Sequence, residues 1–176
     1  MPSTFESTSL PGVVLIVPKV FGDARGFLME TYKRSEFEAA GLPVALVQEN
    51  HSRSSRGTLR GLHYQAEPHA QPKLVRCTQG VIWDVIADLR AGSPSERRWI
   101  AVELSAANRR QLYVPSGCAH GYITLVDESE VLYQLATPWA PQAERGVRWD
   151  DPTLAIRWPL APVVVSARDA ALPRLG

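Results

Sequence analysis

The sequence predicts a mostly β protein, a jelly-roll sandwich or barrel with few helices. Three observations carry that expectation. The 176 residues break into short apolar runs rather than long ones of helical period. Fourteen prolines and 12 glycines cluster between those runs, where turns are required. Only one segment of the first half, Ser35 to Ala40, has helical character. Many short strands at regular spacing are how a sequence writes a closed or double-sheet all-β fold.

In chain order, Val13 to Val17 and Gly26 to Tyr32 read as the first strands. Ser35 to Ala40 then reads as a helix, with Ser35 as N-cap, Glu38 three residues on and Gly41 as its stop. Thr58 to Tyr64, Lys73 to Thr78 and Val81 to Asp88 read as strands, the last two separated by Gln79-Gly80. Alternation along Val81–Asp88 places Asp84, Ile86 and Asp88 on one face. Trp99 to Leu104, Gln111 to Val114, Gly121 to Leu125, Val131 to Ala136 and Gly146 to Trp149 complete the set. Turn residues such as Ser105–Asn108 and Pro115-Ser116-Gly117 bound them. After Asp150-Asp151-Pro152 the chain reads as a short, mostly irregular wrap, so residues 1–176 are expected to form a single domain.

Composition narrows the function classes. At 45% hydrophobic and 21% charged residues the chain can bury a core and is not disordered. A net charge of +1 argues against a nucleic-acid or membrane-surface binder. Two cysteines, Cys77 and Cys118, are too few for a disulfide framework or a zinc ribbon. No apolar run approaches the roughly 18–20 residues of a membrane span, and the first residues lack the pattern of a signal peptide. A cytoplasmic location is the expectation. The three lysines, Lys19, Lys33 and Lys73, are few beside the arginines, so a lysine in a chemical setting stands out.

The richest segment is Thr58-Leu59-Arg60-Gly61-Leu62-His63-Tyr64-Gln65. Strand alternation puts Arg60, Leu62 and Tyr64 on one face, and Leu59, Gly61, His63 and Gln65 on the other. Glycine at 61 leaves room beside His63, whose polar neighbours favour a chemical role over a buried structural one. Lys73 shares a face with Val75 and Cys77. A lysine there ordinarily snorkels or marks an edge, but its scarcity favours a charge directed into the barrel. Cys77 reads as a small core residue. Pro115-Ser116-Gly117-Cys118-Ala119-His120-Gly121 has the form P-x-G-x-x-H, the second signature of the cupin jelly rolls. Metal-binding cupins pair it with H-x-H, but here glutamine stands at 65, so no metal is expected. Tyr133 sits mid-strand. Trp139, in a proline-rich loop, suits stacking on a flat ligand. Arg25, Phe27 and Glu30 form one polar cluster, and Gln48 and Asn50 another. With Arg60 and Lys73 they suit phosphate oxygens.

Together, and in this order, these residues resemble the dTDP-4-dehydrorhamnose 3,5-epimerase family, which is cupin-like. The likeness runs from about Gly12 to Pro159 and includes Lys19–Asp23, Gln48–Ser52, Thr58–Cys77, Asp88–Pro94, Pro115–Gly121 and Arg148–Pro152. The resemblance implies a cupin-type jelly roll acting without a cofactor on a nucleoside-diphosphate 4-keto-6-deoxyhexose. It implies His63 as base, Asp169 as the residue that orients it and Tyr133 as proton donor. The chemistry of the reaction adds Lys73 as the cation for the developing enolate. Trp139 matches the aromatic that stacks on thymine. Arg25, Phe27, Glu30, Gln48, Asn50, Arg60, His120, Glu144 and Arg168 are the expected substrate contacts. The resemblance also implies a homodimer with exchanged N-terminal strands, in which Arg25 and Glu30 complete the partner's site. Here arginine stands at 168 where the family usually has lysine, and Pro138-Trp139 replaces an aromatic pair. The expected activity is inversion at both C3 and C5. A single-carbon epimerase and a non-catalytic jelly-roll sugar-binding protein are the alternatives.

Overall fold

The computed structural model describes residues 3–42 and 45–176. Its strands are β1 (Thr4–Ser7), β2 (Val14–Val17), β3 (Val20–Asp23), β4 (Gly26–Met29), β5 (Gln48–Ser54), β6 (Thr58–Gln65) and β7 (Lys73–Gln79). They continue as β8 (Val81–Asp88), β9 (Trp99–Ser105), β10 (Gln111–Val114), β11 (Cys118–Thr124), β12 (Ser129–Leu135), β13 (Glu144–Gly146) and β14 (Val164–Val165). Two short helices, α1 (Arg34–Ala39) and α2 (Ala167–Ala170), and a 3-10 turn at Pro141–Ala143 complete the elements.

The strands form two large sheets. The first runs β1-β2-β10-β7-β12-β5, and the second runs β13-β6-β11-β8-β9 with β14 added in parallel beside β6. Between them lies one core of Val75 and Cys77 from β7, Ile82 and Ile86 from β8, Leu112 and Val114 from β10, with Tyr122 and Val131. Full burial of each such aliphatic side chain contributes about 1.5–3 kcal/mol. The outer face of the second sheet packs Leu62, Val85 and Ala119 under the C-terminal segment, with Leu154 and Trp158. On the outer face of the first sheet, Ile16, Leu74 and Tyr113 take up Phe37 of α1. β3 and β4 stand apart as a separate two-stranded hairpin. No described helix is long and apolar enough to cross a membrane.

The mostly β, double-sheet expectation matches this architecture, and β8 and β10 fall on the expected residues. Alternation in β8 also holds, with Ile82 and Ile86 in the central core and Val85 and Ala87 behind. Other details differ. Ser35 is not the N-cap of α1: the cap is Lys33, with no side-chain bond, and Ser35 lies inside the helix. Gly26 to Tyr32 ends as a strand at Met29, and the strand expected over Gly146–Trp149 lies earlier, at Glu144–Gly146. The polar strands β1, β3 and β5 went unread because half-exposed strands carry little apolar signal. Within the C-terminal wrap, α2 was also unread.

Candidate active site

A cavity of about 620 Å³ opens between the two sheets. Its base is β6, whose backbone departs from a regular ladder. His63 pairs with His120, and Arg60 with Tyr122, so β6 has three steps where β11 has two. One extra residue in a strand is a β-bulge, and it re-aims the side chains on either side. The alternation expected of β6 therefore fails at the bulge. Arg60 and His63 both line the cavity, while Leu62 enters the core behind the sheet. Gly61 at the bulge has φ +119°, a conformation that favours glycine. A Cβ there would lie 2.6 Å from Gly121 Cα and 2.8 Å from His120 O. The space beside His63 is thus filled by β11 and is not an opening for a ligand.

The C-terminal segment brings the partner of His63. β14 lies along the start of β6, with Val164 opposite Thr58, and carries Ser166 to the N-cap of α2. Ser166 Oγ accepts from the Asp169 amide at 3.0 Å, fixing the turn that carries Asp169. The Asp169 carboxylate then meets His63 Nε2 at 2.7 Å and accepts the Gly61 N–H at 3.2 Å. Burial works to raise the Asp169 pKa, but the bonds from His63 and Gly61 outweigh it and hold the carboxyl below its usual range. With Nε2 bound to Asp169, Nδ1 is the nitrogen of His63 left to take a proton.

Lys73, at the start of β7, is buried and donates from Nζ to the His63 carbonyl at 3.2 Å. Burial pushes its pKa down to about 8, against the opposing pull of Glu144 and Asp84. Tyr133 lines the cavity from β12, in register with Val75 of β7 and Asn50 of β5. Its hydroxyl makes no hydrogen bond to the described residues. The base-type and acid-type side chains thus come from opposite sheets.

The remaining lining residues divide between the mouth and the interior. At the mouth, the Trp139 indole N–H donates to Glu144 Oε2 at 2.9 Å, and Arg168 forms an ion pair with the same carboxylate. Arg168 and Trp139 together outweigh burial and keep the Glu144 pKa low. The Trp139 amide donates to Gln48 Oε1 at 2.9 Å, and Gln48 in turn donates to Asn50 at 3.0 Å. Gln65 does not reach the cavity. It clamps the tryptophan loop through the Ala140 amide at 2.7 Å and the Pro138 carbonyl at 3.3 Å. Arg60, which is exposed, has its guanidinium held by Ser54 Oγ at 3.1 and 3.2 Å. His120 Nε2 lies 2.7 Å from Asp84 Oδ1.

The structure therefore brings His63, Lys73, Tyr133, Asp169, Gln48, Asn50, Arg60, His120, Trp139, Glu144 and Arg168 to one cavity. Arg25, Phe27 and Glu30 do not line it. Arg25 and Phe27 sit on the β3–β4 hairpin and Glu30 follows it, and Arg25 is paired to Asp23. Phe27 is 57% exposed, with the Arg109 guanidinium 4.2 Å from its ring centre. Sequence reasoning missed the part that Asp84 plays here, although an acid in the apolar run Val81–Ala87 was its signal. It also assigned no role to Ser52, which lies in the Gln48–Ser52 run, to Ser166, which opens the segment carrying Asp169, or to Tyr122.

Residues 7–176 match the profile of the dTDP-4-dehydrorhamnose 3,5-epimerases. The enzyme of that name from Pseudomonas aeruginosa is 52% identical over 153 residues, covering 86% of this chain and 84% of the relative. The crystal structure of the Bacillus anthracis enzyme of that name, with TDP and pyrophosphate bound, superposes with a TM-score of 0.96. It is 42% identical and covers 98% of this chain and 99% of that one. The Legionella pneumophila dTDP-6-deoxy-D-glucose-3,5-epimerase, in complex with dTDP-4-keto-L-rhamnose, is 37% identical with a TM-score of 0.92 and 99% coverage of both chains. Sequence, double-sheet fold and cavity agree, and the chain belongs to the dTDP-4-dehydrorhamnose 3,5-epimerase family, with its cupin-type jelly roll.

Proposed function

We infer that the protein is an epimerase inverting C3 and C5 of a dTDP-linked 4-keto-6-deoxyhexose, turning dTDP-4-dehydro-6-deoxyglucose into dTDP-4-dehydrorhamnose. One observation carries the reading. A histidine braced by a carboxylate and a tyrosine hydroxyl with no partner among the described residues face one cavity from opposite sheets, with a buried lysine beside the histidine. Inversion at carbon needs a base on one face of the sugar ring and an acid on the other.

The C4 ketone acidifies the hydrogens on C3 and C5. His63 takes one of these protons, its orientation held by Asp169. Electron density moves onto the C4 oxygen, where the Lys73 ammonium stabilises the enolate. Tyr133 delivers a proton to the opposite face of the same carbon. The tyrosinate is reprotonated and His63 deprotonated before the second carbon reacts. No redox change occurs and no cofactor enters. Trp139 stacks on the thymine, and Arg60 and Arg168 take the diphosphate. Gln48, Asn50, His120 and Glu144 complete the contacts. Arg168 exchanges its Glu144 partner for phosphate as the nucleotide enters.

Residues 1–176 act as one jelly-roll domain in a homodimer whose N-terminal strands are exchanged. The β3–β4 hairpin is the exchanged arm, so Arg25, Phe27 and Glu30 belong to the partner's cavity. Its separation from both sheets and the exposure of Phe27 and Leu28 support this.

The test is incubation with dTDP-4-keto-6-deoxyglucose in deuterated water, with the sugar read by NMR. Deuterium at C3 and C5 with inverted product is the expected result. Label at one carbon only points to the single-carbon alternative. No exchange with this or any other nucleotide 4-keto sugar would falsify the epimerase reading.

A further inference from the structure

One polar pair in the cavity has no part in the chemistry above. Tyr122 of β11 and Ser52 of β5 both line it, and their hydroxyl oxygens lie 2.8 Å apart. The pair bridges the two sheets, because β11 belongs to the second and β5 to the first. We propose that Tyr122, backed by Ser52, is a further substrate-contacting residue, whose hydroxyl hydrogen-bonds a hydroxyl of the sugar ring and helps decide which 4-keto sugar is accepted. The proposal rests on the epimerase reading and names one more part of the same site.

Register sets the distance. Ser52 lies opposite Val131, two residues along β12 from Tyr133. Tyr122 lies opposite Arg60, two residues along β11 from His120, the residue that pairs with His63. Two residues of strand advance about 7 Å. The hydroxyl pair therefore sits one pleat repeat beyond the base and acid, within reach of the far edge of a hexose held between them. His120, on the same face of β11, has its ring centre 6.3 Å from that of Tyr122, so the pair adjoins another side chain that lines the cavity.

Hydrogen-bond capacity points the same way. Two hydroxyls bring two protons, and their mutual bond uses one. The other contact of Ser52, to the Val131 carbonyl, is 3.5 Å long, at the limit of a hydrogen bond. One proton and several lone pairs remain for a ligand. Burial raises the Tyr122 pKa to about 12, so the phenol stays protonated and neutral across the working range. Neutral hydroxyls suit sugar hydroxyls, whereas the charged side chains of this cavity suit the diphosphate and the enolate. The competing view is structural: a tyrosine packed in the central core needs some partner for its hydroxyl, and Ser52 is that partner.

Tyr122→Phe removes one oxygen and keeps the ring in its core packing, and Ser52→Ala leaves the core untouched. Both variants are compared with the wild type for turnover of dTDP-4-keto-6-deoxyglucose and, by calorimetry, for binding of dTDP alone. Wild-type turnover in the same assay tests the epimerase reading separately. The expected result for Tyr122→Phe is a fall of about tenfold in kcat/KM with the Kd for dTDP within twofold of wild type, as loss of one neutral hydrogen bond predicts. Ser52→Ala is expected to lose less, and the double variant no more than Tyr122→Phe. A folded Tyr122→Phe enzyme with wild-type kcat/KM overturns the proposal in favour of the structural view. An equal loss of dTDP affinity overturns it in favour of an effect through Arg60. Should Tyr122→Phe fail to fold, wild-type kcat/KM in Ser52→Ala overturns it.

Discussion

Two histidines that line the cavity each bond an aspartate at the same 2.7 Å separation, yet their surroundings differ. The His63 side chain is 26% exposed, and its aspartate comes from the far C-terminal segment. The His120 side chain is 7% exposed, and Asp84, on the neighbouring strand β8, is fully buried. Both oxygens of Asp169 are engaged, whereas Asp84 Oδ2 is buried with no hydrogen-bond partner among the described residues. An imidazole that must carry a proton in and out needs an accessible nitrogen and a carboxylate whose charge is already supported. Only the first pair offers both. On the proposed reading, access and the support of the second oxygen, and not hydrogen-bond length, separate the base from the binding contact.

The sharpest way to break this comparison is to remove each imidazole. His63→Ala is expected to lower kcat by about 10²–10⁴, the usual worth of a general base. His120→Asn is expected to cost about tenfold, mostly in KM, as a binding contact does. Equal losses in the two variants would erase the distinction. Tyr133→Phe tests the opposite wall. Inverted product should fall by about 10²–10³, while deuterium still exchanges at the sugar carbons, since His63 can return a proton to the face it came from. Loss of exchange in step with inversion would count against separate base and acid.

Mixing tests the hairpin. If the proposed exchanged dimer forms, the Arg25→Ala and His63→Ala variants, each impaired alone, should regain up to about a quarter of wild-type activity after co-refolding, because each heterodimer would hold one intact site. No gain would leave the arm acting on its own chain.

The smallest effect lies in the pH profile. Lys73 must be charged, so activity should fall as pH rises through about 8. Asp84→Asn removes a charge that supports the ammonium and should move that limb to lower pH. An unmoved limb would mean that the buried pair does not sense Lys73. Stability should change in the opposite direction to activity. Between about 8 and the ordinary 10.5 the unfolded chain holds the lysine proton and the folded chain does not, so the Lys73 contribution to stability rises with pH.

Much of the site was legible one residue at a time. A scarce lysine on an apolar strand face singled out Lys73, and the P-x-G-x-x-H turn marked His120. Glutamine at 65 is where the sequence departs from the histidine signature of metal-binding cupins, but its clamp on the Trp139 loop was invisible, because that contact joins residues far apart in sequence. Arg60 was misdirected for a different reason. Alternation is a local rule, and the bulge that breaks it arises from the close approach of Gly61 to Gly121 on another strand.

By itself, then, the sequence determined the strand-rich architecture and the chemical inventory, since apolar period, turn residues and side-chain type are properties of neighbours in the chain. Tertiary structure alone decided which of these groups meet. It paired His63 with Asp169 across 106 residues, placed Tyr133 on the facing sheet, and left the arm with Arg25 outside its own cavity. Those outcomes depend on sheet stacking and on one extra backbone step in β6, distances in space that no local pattern records.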